Sequence, residues 1–70
     1  MSSVKLTYMG NQIARNFAAL PHDEAVANTR DHIVKFWNPL MRNRILDHLS
    51  QTEEGFEPLL VEALRGLKQS

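Results

Sequence analysis

The stretch Asp31-His32-Ile33-Val34-Lys35-Phe36-Trp37-Asn38-Pro39-Leu40-Met41-Arg42 decides how the chain folds. Ile33 and Phe36 continue an apolar stripe that starts at Val26 and Thr29, in steps of 3, 4 and 3 residues. That spacing is one face of a helix. Asn38-Pro39 then interrupts it. The residue before a proline is pushed out of the helical region. Asn favours the N-cap, and Pro suits the first helical position. One helix is therefore predicted to end at Trp37 and another to begin at Pro39, with almost no turn between them.

Working outward, Met41, Ile45 and Leu49 step by four with Leu46 beside them, which predicts a helix over 39–50. Gln51 to Gly55 is short and polar, a loop. A last helix is predicted over 57–67, with Pro58 in its first turn and Leu60, Ala63, Leu64 and Leu67 on one face. Upstream, Asp23 and Glu24 suit a helix N-terminus, giving a helix over 23–37. Pro21 stops the helix before it, predicted over 3–20 with Ser3 as N-cap and a stripe of Leu6, Met9, Ile13, Phe17 and Leu20. Gly10 inside that helix weakens it by about 1 kcal/mol relative to Ala, a cost that a close helix crossing would rationalise. No segment alternates with the period of a strand. The expectation is an all-α chain: a single helical domain over residues 1–70, built as a small bundle of about four short helices.

Composition narrows the function. The chain has 70 residues, with eight Lys+Arg against eight Asp+Glu, and no Cys. Zero net charge argues against a nucleic-acid surface, since phosphate binding needs a basic excess. Apolar runs are too short to span a membrane, and no export signal is read at the start. The lack of Cys removes disulfides, zinc thiolates and iron–sulfur ligation together. Burial of apolar area is worth on the order of 100 kcal/mol for a chain of this mass. Ordering the residues costs about 105 kcal/mol. With the two terms level, and no cross-link to help, a partner chain becomes a serious candidate.

Candidate chemistry is sparse. His22, His32 and His48 are the strongest ligands or bases, and no two stand three or four residues apart. A metal would need residues from three helices. Ser2, Ser3, Ser50 and Ser70 lie at the termini and at a helix end, and no Gly-rich loop follows a strand. No cofactor and no catalytic role is expected of the chain by itself. A helix-turn-helix reading of the 23–37 and 39–50 helices was weighed against Asp47, which would face phosphates with the wrong sign.

The informative cluster is Phe36, Trp37, Pro39, Leu40 and Met41, flanked by Lys35, Arg42 and Arg44. Ile33, Val34, Phe36 and Trp37 cover more than half a helix circumference, more than one core face can bury. Aromatics, Met and Arg are the types enriched at interface anchors. Residues 32–46 hold no acid, whereas 47–62 hold Asp47, Glu53, Glu54, Glu57 and Glu62 and no base. The corner is therefore expected to bind a partner protein through Phe36, Trp37, Pro39, Met41, Arg42 and Arg44. A homodimer through the same surface is the alternative.

The run Met9-Gly10-Asn11-Gln12-Ile13-Ala14, then Phe17, Pro21, Glu24-Ala25-Val26-Ala27, Asp31-His32-Ile33, Lys35-Phe36-Trp37-Asn38-Pro39 and Met41-Arg42 resembles the small delta subunit of cytoplasmic NAD-dependent, molybdenum-containing formate dehydrogenases. Glu57-Pro58-Leu59 resembles the family's usual start of the last helix, so the likeness covers nearly the whole chain. Gly10 stands where that family is expected to have Ala, and Leu40 where Arg is common. The resemblance implies a cytoplasmic, non-catalytic accessory subunit. Its partner would be the large catalytic alpha subunit, which holds the molybdenum cofactor and iron–sulfur clusters, while beta and gamma subunits pass electrons to flavin and NAD. It also implies a role in assembly, stability or molybdenum-cofactor loading of that subunit, with no membrane and no nucleic acid involved.

Overall fold

Four helices account for the fold in a computed structural model that describes residues 2–67: α1 (Ser3–Phe17), α2 (His22–Phe36), α3 (Pro39–Gln51) and α4 (Pro58–Arg65). The described residues contain no strand. Each boundary has a local cause. Ser2, not Ser3, caps α1: its hydroxyl accepts from the Lys5 N–H at 3.1 Å, while Ser3 is already helical and its carbonyl accepts from the Thr7 hydroxyl at 2.8 Å. The end of α1 falls at Phe17, three residues short of the expected Leu20. Approaching Pro21, the chain tightens into i→i+3 bonds, Ala18 N–H to Arg15 and Leu20 N–H to Phe17, because the pre-proline residue resists the helical region. Leu20 is consequently exposed rather than part of the core stripe.

Asp23 and Glu24 sit in the first turn of α2. Trp37 leaves the helix in an extended conformation (φ −101°, ψ 135°). Asn38 caps α3, accepting from the Met41 N–H at 2.9 Å, with Pro39 opening the helix. At the far end, α4 stops at Arg65, and Gly66 and Leu67 continue only as i→i+3 turns.

The core is Leu6 and Ala14 from α1, Ala25 and Ile33 from α2, Trp37, Ile45 from α3, and Leu60, Ala63 and Leu64 from α4. Helix α1 is the hub, packing against each of the others, while α2 also packs on α4. The hub needs Gly10: a Cβ there would stand 2.9 and 3.1 Å from the two Leu60 methyls and 3.5 Å from Ile45 Cδ1. The helix-weakening residue is thus where α1 meets α3 and α4 most closely.

Two polar devices fasten the loops and ends. The Asn11 carboxamide reaches the α3–α4 connection twice, its NH₂ donating to the Gly55 carbonyl at 2.8 Å and its oxygen accepting from the Glu57 N–H at 2.9 Å. From α2, Arg30 donates to the Ala63 carbonyl at 2.9 Å and the Glu62 carbonyl at 3.4 Å, satisfying the C-terminal end of α4. Gly66 lies against that guanidinium, which any side chain at 66 would displace. Exposed ion pairs join Arg15 to Glu57 and Arg65 to Glu53, and a hydrogen bond joins His22 to Glu62; such exposed pairs are worth at most about 1 kcal/mol each.

The accessible surface is 4446 Å², against about 4,450 Å² expected for a folded monomer of this mass. Apolar groups left outside are therefore not signs of loose packing.

Candidate docking site

The α2–α3 corner separates two adjacent aromatic rings. Up to Phe36 the chain is helical, so that side chain follows the outer edge of α2 and is 70% exposed. At Trp37 the backbone turns extended, which swings the indole into the core, where it is 4% exposed. Trp37 was expected among the surface contacts; its burial corrects that expectation, because the helix ends one residue earlier than the sequence suggested. Its part is to fix the corner on which Phe36 and Leu40 stand out. Leu40, in the first turn of α3, is 67% exposed.

Arg42 was also expected to face outward. Its Nη1 instead donates to the Trp37 carbonyl and, at 3.4 Å, to the Val34 carbonyl. The guanidinium thereby closes the C-terminal end of α2, where cations are favoured and carbonyls otherwise lack partners. Pro39 and Arg44 are exposed, and Met41 is half-buried.

Beside the corner runs an open cleft of about 460 Å³. One wall is α1, with Tyr8 and Gln12 a turn apart, the Gln12 amide donating to the Tyr8 hydroxyl at 3.0 Å. The other wall is α2, with His32 and Phe36 a turn apart and their rings 4.5 Å between centroids. Phe17 meets His32 from behind, edge-on at 6.3 Å. Met9, Ile13, Trp37 and Met41 complete the lining. A second cleft of about 240 Å³, lined by Leu6, Asn38, Leu40, Met41 and Arg44, shares Met41 with the first. Neither lining contains a carboxylate.

The six candidate residues thus divide. The corner brings Phe36, Pro39, Met41 and Arg44 to its outer side, while Trp37 and Arg42 serve its interior. Sequence reading missed Tyr8 and Gln12, the α1 wall. Their i,i+4 spacing was visible, but nothing local shows that α1 lies next to Phe36.

The three histidines are dispersed: His22 bonds to Glu62 at 2.7 Å, His32 sits between Phe17 and Phe36, and His48 packs on Phe56 at 5.6 Å. Among the described residues no three His, Asp or Glu side chains converge as a metal site. No helix among them is long and apolar enough to cross a membrane.

A family model for the NADH-dependent formate dehydrogenase delta subunit, FdsD, matches residues 5–64. The chain belongs to this FdsD family. The match runs from the first turn of α1 to the last turn of α4 and contains the whole α2–α3 corner. Membership makes the chain a subunit of a formate dehydrogenase complex. No curated protein and no solved structure matches it.

Proposed function

We propose that this FdsD chain is a non-catalytic accessory subunit that docks on the large catalytic subunit of the complex through the α2–α3 corner. Docking would support assembly or stability of that subunit, or loading of its molybdenum cofactor. The carrying observation is Phe36 and Leu40, 70% and 67% exposed beside an apolar cleft, on a molecule whose surface is otherwise of ordinary extent. Burying such groups against a partner is favourable at about 25 cal/mol per Å² of apolar area. A partner that binds only the correctly folded catalytic subunit stabilises that state by mass action.

The test is copurification from cells making all subunits. Phe36→Ala combined with Leu40→Ser is expected to lower retention of the catalytic subunit at least tenfold, as loss of a buried aromatic anchor does. Circular dichroism checks that the double variant is folded. Molybdenum content per catalytic subunit then separates a cofactor-loading role from a purely stabilising one. Undiminished retention and activity with a folded variant would overturn the reading.

A further inference from the structure

We propose that the two clefts that share Met41 receive an amphipathic helix of the partner chain, apolar along one face and acidic at its margins. This rests on the docking reading above and adds the form and chemistry of what docks. Both walls of the larger cleft are helices, and the Tyr8–Gln12 and His32–Phe36 pairs each span one turn. The smaller cleft shares Met41 with the larger. Two apolar clefts with a common wall suit successive apolar groups on one face of a helix. A helix offering apolar groups at i, i+3 or i+4, and i+7 fills such a pair.

An extended segment finds less here. Strand addition needs a row of unpaired backbone groups, and helical walls have already bonded theirs. The carbonyls of Val34 and Trp37, at the end of α2, are taken by Arg42. Contacts to the occupant must therefore come from side chains, as in helix-in-groove recognition.

Charge supplies the sign of the margins. The cleft linings hold no Asp or Glu, and Arg44 lines the smaller one. Lys5 stands one turn before Met9 on α1, exposed. Lys35 stands beside Phe36, exposed, but Asp31 at 3.6 Å offsets its charge, so the α2 margin adds no net sign. The described Glu residues whose carboxylates have side-chain partners, Glu53, Glu57 and Glu62, gather around α4 instead. Complementary potentials set partner choice and register, so carboxylates flanking the apolar stripe are selected.

The experiment places the photoreactive residue p-benzoylphenylalanine at Gln12, at Leu40 and, as a control on α4, at Val61, in the complex assembled with all its subunits. Gln12 and Leu40 are expected to cross-link to one segment of the catalytic subunit, at residues 3, 4 or 7 apart, with Asp or Glu nearby; Val61 is not. In the same complex, Lys5→Glu with Arg44→Glu should weaken retention about fivefold. Cross-links at alternate residues, to a second copy of this chain, or from Val61 in place of the groove positions overturn the helix proposal while docking stands. Failure of the unmodified chain to copurify with any subunit overturns docking itself.

Discussion

Gly10 shows how one missing methyl sets a helix spacing. Ala would improve helix propensity by about 1 kcal/mol. Its Cβ would press on Leu60, which is fully enclosed, and overpacking a filled core costs roughly 1–3 kcal/mol. The second effect wins, so Gly10→Ala should lower stability by about 1 kcal/mol net. Leu60→Val alone should cost about 1 kcal/mol. In that background Gly10→Ala should cost less than it does alone, a coupling that urea midpoints of the four proteins in the cycle will show. Arg30 is a second such residue. Arg30→Met keeps the packed stem and removes the bonds to the end of α4, so a loss of about 1–2 kcal/mol is expected. Faster amide exchange should then be confined first to α4.

At the scale of elements, the caps carry most of what the sequence made legible. Pro21, Asn38-Pro39 and Pro58 act through their own backbone, with no help from distant residues, and all four helices could be located from them. Asn38→Ala removes the bond to the Met41 N–H and is expected to destabilise the protein by about 1 kcal/mol, measured by thermal unfolding. A proline marks that a helix must stop but not how many residues earlier it gives way: α1 ends three residues before the expected Leu20, and Trp37, expected inside α2, is already extended. The role of Arg42 was illegible because an arginine five residues after a tryptophan declares its charge, but not that the charge folds back onto a helix end. The α1 wall of the cleft needed the three-dimensional arrangement altogether, since Tyr8 and Phe36 are far apart in sequence and meet only where the start of α1 lies beside the end of α2.

Across the whole molecule, the two adjacent aromatics should behave in opposite ways. Trp37→Ala opens a cavity in the core and should cost about 3–5 kcal/mol, a large share of what a small domain has. Its effect on the complex would follow from unfolding, seen as a lost far-ultraviolet helical signal. Phe36→Ala should change stability by no more than about 0.5 kcal/mol, yet weaken retention of the catalytic subunit. If both variants are equally unstable in isolation, the division of labour at the corner is wrong. Sedimentation of the isolated chain adds the remaining distinction, because a monomer leaves the cleft open to a different partner.

The Asn11 clamp has a chemical consequence of its own. Its two bonds span separations of 44 and 46 residues, the reach of a cross-link in a cysteine-rich miniprotein, and they re-form without any oxidant. One of them, the bond to the Gly55 carbonyl, depends on a nitrogen that hydrolysis removes. Deamidated to Asp, the side chain keeps its shape and its bond from the Glu57 N–H but turns an oxygen toward the Gly55 carbonyl. Slow ageing at this single amide would unlatch the α3–α4 connection while every apolar contact in the interior stayed in place.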